Sequence, residues 1–421
     1  MAWRSLLGVV LILALGWVLS ERRRAVSPRT VGAGLALMGL LALFVFVLPV
    51  GRGLFLFLNS LVEDLLEAAL RGPRFLFGPL AEPPGAEGSL GFILATQALP
   101  TVVFFASLMG GLYWLGLMPA LVRLFARVFS ALMRSSGAES LCAASNIFVG
   151  VESATTIRPY LGGMTRSELC TVLTAGMATI ASSVLGLYVL ILRDAFPTIA
   201  GHLISASVLS APAAVVMAKL LVPETQEPLT MGRLPREETA RASSLIEALT
   251  EGAMAGLRLL AGIVALLLAY LGLLALLDML LAAGGRPLGL ELSLTGLLSW
   301  LMYPLALAMG VPSGDALEVA RLLGMRVVAT EVPAYQALAG LMREGLIGAR
   351  AGFIAAYALC GFSHVASLAV FSGGFSALAP QRAGDIARVA PRALLAANLA
   401  CLLTGAVAGV FYSEQALLFG P

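Results

Sequence analysis

The chain has 421 residues, of which 59% are hydrophobic and 12% charged, and its mean hydropathy of +0.94 excludes a soluble globular domain. A formal net charge of +3 supplies no basic surface for a nucleic-acid partner. The four cysteines (Cys142, Cys170, Cys360, Cys401) and two histidines (His202, His364) lack the spacing of a zinc site or a disulfide framework.

Apolar runs able to cross a hydrocarbon core of about 30 Å recur along the chain, so the reading is an all-α polytopic membrane protein. The first run, near residues 3 to 19, reads as a retained helix, because Arg4 is a thin n-region and no small-residue cleavage pattern follows. A second run covers 31 to 50. Arg22, Arg23, Arg24 and Arg29 lie between the two, which makes that loop cytoplasmic and puts the N-terminus outside. "LVEDLLEAAL" from Leu61 and "LVRLFARVFSALMR" from Leu121 carry apolar residues at helical spacing with charges opposite, as interfacial helices or packed connectors do.

Further spans are expected near 92 to 116, 165 to 192, 200 to 221, 254 to 283, 348 to 375 and 386 to 412, about eight transmembrane helices in all. Two Pro-rich polar stretches, "GPLAEPPGAEGS" from Gly78 and "VPETQEPLTMGRLPREETARASS" from Val222, read as solvated loops. The second divides the chain, giving N-terminal spans and an interfacial helix over 1–91, a first repeat over 92–221, a polar loop over 222–243 and a second repeat over 244–421.

The two halves resemble each other. "SSGAESLCAASNIFVGVESATTI" from Ser135 precedes a span containing "TAGMATIASSVLG", and "VPSGDALEVARLLGMRVVATEVPAY" from Val311 precedes "YALCGFSHVASLAV". Each has a Ser-Gly turn, an acidic residue, a helical stretch too short to span, a glutamate, and a span broken by small polar residues. An inverted internal repeat with interrupted hydrophobic segments at matching places points to a secondary transporter whose solute site lies near the midplane. Glu152 and Glu331 fall at the two hairpin tips. A carboxylate at bilayer depth costs a few kcal/mol, so two at equivalent places point to function. The serines lack the neighbouring histidine or paired aspartates that intramembrane hydrolysis needs, so no enzyme is expected.

From Gln97 nearly to the C-terminus, "SGAESLCAASNIFVG", "IRPYL", "MTRSEL", "TAGMATIASSVLG", "SAPAAVVMAKLLVPET", "GVPSGDAL", "TEVPAY" and "YALCGF" resemble the concentrative nucleoside transporters in their bacterial eight-span form. The resemblance implies a multi-pass homotrimer in the lipid of a bacterial inner membrane, with a scaffold domain and an elevator-like transport domain. It implies re-entrant hairpins at about 138–161 and 316–344 and unwound helices centred on Thr179 and His364. It implies import of a nucleoside or nucleoside-like solute coupled to sodium, with no other cofactor.

The implied sodium ligands are Asn146, Val149, Thr179 and Ile180. The implied solute contacts are Glu152, Ser153, Val184, Glu331, Phe362, His364 and Ser367. Two positions depart from the family. His364 stands where an asparagine is usual, and "GVES" replaces the usual Gly-Gln-Thr-Glu, so the two side chains that normally meet the base are missing. Alternatives are a proton-coupled carrier of another small solute, using Glu152, Glu331 or His364, and a gate-domain membrane protein that no longer transports.

Overall fold

A computed structural model describes residues 2–86, 88–150, 153–234, 242–290 and 292–419. Among them the regular structure is helical. The first part of the chain forms α1 (Ala2–Val18), α2 (Pro28–Phe46), α3 (Pro49–Phe77), α4 (Thr101–Trp114) and α5 (Leu117–Met133). A first hairpin follows, from α6 (Gly137–Ser145) through the short α7 (Ser153–Thr156) and α8 (Arg158–Leu161), and then α9 (Arg166–Ala178), α10 (Ser182–Leu192) and α11 (Ile199–Leu221). The rest consists of α12 (Leu245–Gly285), α13 (Leu294–Ala308), α14 (Ala316–Val328), α15 (Glu331–Arg343), α16 (Ala349–Leu359), α17 (Val365–Leu378), α18 (Ala383–Val410) and α19 (Glu414–Leu418).

Among the described residues, six helical stretches are long and apolar enough to cross a membrane, and α1, α13, α16 and α17 are shorter apolar helices. The eight spans expected from hydropathy omit α13. With only 15 residues and an internal Pro304 it lacks the length that marks a span, although its sequence is strongly apolar. Two other bounds move. α12 begins at Leu245 rather than near 254, because Ser244 caps it through the amide of Glu247. The piece read from Leu61 belongs to the 29-residue α3, which buries Phe55, Asn59, Val62, Leu66, Ala69 and Pro73 and exposes Asp64, Glu67 and Arg71. That alternation of three and four is one helix face, as expected of an amphipathic element.

The core is built on α18 and α11, which pack against α1, α2, α9 and α16. α12 stands apart. None of its most apolar window is buried, and it leans on α4 through glycines. A Cβ on Gly252 would lie 2.6 Å from the Ala106 carbonyl oxygen, and one on Gly110 2.5 Å from that of Ala248, so only glycine lets these backbones approach. Ser107 Oγ donates to the Leu249 carbonyl at 2.8 Å across the same seam.

Candidate functional site

The order of short hairpin and broken helix occurs twice. In the first half α9 stops at Ala178, Thr179 is extended (φ −117°, ψ 167°), and α10 restarts after Ala181. In the second half α16 stops at Leu359 and α17 restarts after His364 (φ −124°, ψ 167°). Neither break contains proline, so contacts between distant segments must satisfy the freed backbone groups. The Ser182 amide donates to the Phe148 carbonyl at 3.0 Å, docking the first hairpin tip onto the first break. The Phe362 amide donates to the Thr179 carbonyl at 3.4 Å, joining the two breaks. Gly361 makes the crossing tight, since a Cβ there would lie 2.8 Å from the Ala178 carbonyl oxygen and 2.6 Å from Cys401 Sγ.

Asn146 caps the C-terminal end of α6 and is fully buried. Its Nδ2 donates to the Cys142 carbonyl at 2.9 Å, while its Oδ1 is buried with no hydrogen-bond donor among the described residues. A desolvated acceptor left unpaired costs about 1–3 kcal/mol, which a bound cation would offset. Thr179 is buried too, and its hydroxyl donates to the Ala175 carbonyl at 2.8 Å, leaving its lone pairs as acceptors. Ile180 is buried beside it and Val149 is half-buried at the hairpin tip. The Phe148–Ser182 bond brings these two segments into one corner. Amide, hydroxyl and carbonyl oxygens at a helix end suit a small hard cation.

Glu331 opens α15 in the second hairpin and is 3% exposed. Tyr188 donates to its Oε1 at 2.6 Å, and His364 Nε2 lies 3.2 Å from its Oε2. The state of the imidazole follows from its other nitrogen. His364 Nδ1 accepts the Ser367 amide at 3.1 Å, so a neutral ring carries its proton on Nε2, the nitrogen beside the carboxylate. The same bond is half of an N-cap: Ser367 Oγ accepts the His364 amide at 3.3 Å and donates to the His364 carbonyl at 2.7 Å. His364 therefore both starts α17 and places Nε2 beside Glu331.

These groups open on a cleft of about 100 Å³ lined by Gly150, Thr330, Glu331, Phe362, His364 and Ser367, and closed on the far side by leucines of α12. Across Gly150 lies a second cavity of about 220 Å³, bordered by Tyr113, Phe148, Thr155, Thr156 and Ser183. The first is below the roughly 300 Å³ at which small-molecule pockets begin. In this conformation the first cavity is therefore smaller than a nucleoside needs.

Glu331, Phe362, His364 and Ser367 thus share one cleft, although Ser367 spends its hydroxyl on the cap. Val184 is fully buried in α10, and Ala181, one turn earlier, reaches the cleft instead. Ser153 is buried near Cys142, with Sγ and Oγ 3.8 Å apart. Glu152 and Val151 lie outside the described residues. Tyr188 was missed by sequence reasoning. It is a lone tyrosine in an aliphatic helix, and a buried phenol there must find a partner.

The foot of the first hairpin is held by charge. Glu139 and Glu168 are the third residues of capping boxes begun by Ser136 and Thr165. Lys219 Nζ lies 2.8 Å from Glu139 and 3.4 Å from Glu224, and Ser136 Oγ donates to Glu168 at 2.5 Å. α6, α9 and α11 are cross-linked there by three carboxylates around one lysine.

Two short hairpins laid over two broken helices define a polytopic secondary carrier working by alternating access. Family models agree along almost the whole chain. The Na+ dependent nucleoside transporter N-terminus matches residues 7–80, the nucleoside-recognition gate 95–195, and the Na+ dependent nucleoside transporter C-terminus 202–409. An uncharacterized transporter of Bacillus subtilis, YutK, is 35% identical over 97% of this chain and 98% of its own length. Human solute carrier family 28 member 3 is 36% identical over 96% of this chain, which spans 59% of that longer protein. Among solved structures, CNTnw in an inward-facing substrate-bound state aligns with a TM-score of 0.88 at 34% identity over 98% of each chain. A CNTnw variant in the intermediate 2 state aligns with a TM-score of 0.90 at 34% identity, over 98% of this chain and 99% of that one. The chain belongs to the Na+-dependent nucleoside transporter family, a family of transporters and not of enzymes.

Proposed function

We propose that this protein imports a nucleoside or nucleoside-like polar solute, driven by sodium, as a homotrimer in a bacterial plasma membrane. The observation that carries the reading is the pairing of two unmet needs beside one hairpin tip. Among the described residues Asn146 Oδ1 and Glu331 Oε2 are buried acceptors without a hydrogen-bond donor, Tyr188 being bound to the other carboxylate oxygen of Glu331. A carboxylate with an imidazole N–H beside it suits a vicinal diol, accepting from one hydroxyl while the ring donates to the other. In this reading Asn146, Val149, Thr179 and Ile180 hold sodium. Glu331, His364, Phe362, Ser367 and the first-hairpin residues Glu152 and Ser153 bound the solute, with Val184 packing behind them.

Sodium at the foot of the tip orders the segment that closes over the solute, so each ligand strengthens the other by the same factor. Uptake of labelled uridine into proteoliposomes, with a sodium or a choline gradient, tests this. Sodium-dependent uptake that other nucleosides compete is expected, and failure of every common nucleoside to enter or compete would reject the solute.

A second reading is favoured by the 3.2 Å approach of His364 Nε2 to Glu331 Oε2, which puts an imidazole–carboxylate pair where the family usually has an amide. If that pair carries the coupling proton, uptake persists in choline and follows an imposed pH gradient.

A further inference from the structure

Glu21 is the only carboxylate in the first 62 residues of the chain, and it stands close to four arginines, Arg22, Arg23, Arg24 and Arg29. Its charge is already matched by others. Glu21 Oε1 lies 2.5 Å from Arg166 Nη2 at the start of α9 and 2.7 Å from Arg392 Nε in α18, and the Glu21 amide donates to the Leu221 carbonyl at the end of α11 at 2.9 Å. The loop between α1 and α2 is thereby fixed to three helices. Arg23 is engaged as well, since its Nη2 donates to the Val18 carbonyl at 2.6 Å and its guanidinium lies 5.5 Å from the centre of the Trp17 ring.

Arg22, Arg24 and Arg29 are different. They are exposed and make no ion pair among the described residues. Arg29 stands in the first turn of α2, which holds no acidic residue, and a cation at the positive end of a helix is unfavourable unless an anion lies beside it. Residues 20–25 wall an open concavity of about 540 Å³. Trp17, Val18 and Leu19 are exposed just before it, and a tryptophan next to arginines marks the boundary between acyl chains and headgroups. A second basic cluster shows what a matched one looks like. Arg74, Arg193 and Arg343 line a cavity of about 270 Å³, but each stands at the C-terminal end of a helix, and Arg74 and Arg193 have the carboxylates of Glu82 and Asp194 at 3.9 Å.

We infer that the α1–α2 loop binds the phosphate group of an anionic phospholipid through Arg22, Arg24 and Arg29, with the acyl chains lying along the exposed face of α1. Guanidinium groups donate paired hydrogen bonds to phosphate oxygens, and a basic cluster beside a span draws anionic lipid to the surface. Lipid bound there stabilises the folded state, because Glu21 ties the same loop to α9, α11 and α18. The site does not depend on which solute or ion is carried.

The test reads unfolding midpoints in nanodiscs of phosphatidylcholine, with and without phosphatidylglycerol. Wild type is compared with Arg22→Gln/Arg24→Gln/Arg29→Gln and with a control that loses the same charge, Arg74→Gln/Arg193→Gln/Arg343→Gln. Phosphatidylglycerol should raise the wild-type and control midpoints by several degrees and that of the loop variant by less than half as much. No rise in wild type, an equal rise in all three proteins, or an equal loss in both variants overturns the inference. Inorganic phosphate in phosphatidylcholine nanodiscs should act no differently from chloride at equal ionic strength; a rise matching that with phosphatidylglycerol would assign the arginines to a free anion and overturn the lipid. Native mass spectrometry gives a reading that does not depend on stability. Wild-type protomers should retain a phosphatidylglycerol that the loop variant loses, and equal retention overturns the site.

Discussion

Tyr188 and Glu331 lie 143 residues apart and meet at 2.6 Å, the phenol of α10 donating to the carboxylate of the second hairpin. The bond crosses from one repeat to the other, so the surroundings of Glu331 are built by both. Tyr188 also packs at a tilt against Tyr335, ring centroids 5.0 Å apart, which keeps the ring in place without its hydroxyl. Tyr188→Phe should therefore fold normally and lose only the donor. A hydrogen bond to a charged group contributes about 1.5–3 kcal/mol, so solute kcat/KM should fall by roughly 10- to 100-fold. Uridine uptake kinetics read this directly, and unchanged kinetics would remove Tyr188 from the site.

Gly361 is where the two broken helices cross. A methyl group there meets the Ala178 carbonyl and Cys401 Sγ inside 3.0 Å, and a backbone carbonyl in a packed core cannot swing away. Gly361→Ala should destabilise the protein by about 1–3 kcal/mol and depress uptake further, by separating Thr179 from Phe362. Gly373, in α17, has open space at its Cβ position. Gly373→Ala is the control and should be neutral or stabilising by about 0.5–1 kcal/mol. Unfolding midpoints in detergent compare the two, and equal midpoints would contradict the close crossing.

Lys219 and Glu139 form an enclosed ion pair, with side chains 9% and 1% exposed and 2.8 Å between them. Removing only the lysine leaves Glu139, Glu168 and Glu224 facing one another in the foot of the hairpin. Lys219→Met should cost about 3–5 kcal/mol, since breaking a buried pair is much worse than replacing it. Adding Glu139→Gln should recover part of that loss. If the double variant were as unstable as the single, packing rather than charge would explain the effect.

The general architecture was readable because membranes impose simple rules on sequence. Long apolar runs stand out against polar loops, and a glutamate amid such runs, as at Glu331, is conspicuous. α13 escaped because 15 residues with an internal proline fall below the length that identifies a span. The roles of Ser367 and Tyr188 were hidden for a different reason. Ser367 points back into its own helix cap, and Tyr188 owes its place to a carboxylate in the other repeat. Contacts such as Phe362 to Thr179 or Arg326 to Ala358 join segments far apart in the chain. No local pattern encodes them, whereas the residues that make hairpins and breaks, being polar and small, are visible one segment at a time.

Asn146 gives a prediction whose sign reverses with the salt. Its Oδ1 is buried with no donor, so without sodium the residue is a liability of about 1–3 kcal/mol. Asn146→Leu removes that orphan while filling a similar volume, at the expense of one bond from Nδ2 to the Cys142 carbonyl. In choline the variant should unfold at the same temperature as wild type or above it. In sodium the order should invert. A ligand that binds only the folded state at about 100 times its Kd adds about 2.7 kcal/mol, and Asn146→Leu forfeits this gain. Sodium-driven uptake should vanish in the same variant. A wild-type midpoint indifferent to sodium, or an Asn146→Leu protein that still responds to it, would show that the ion is held elsewhere.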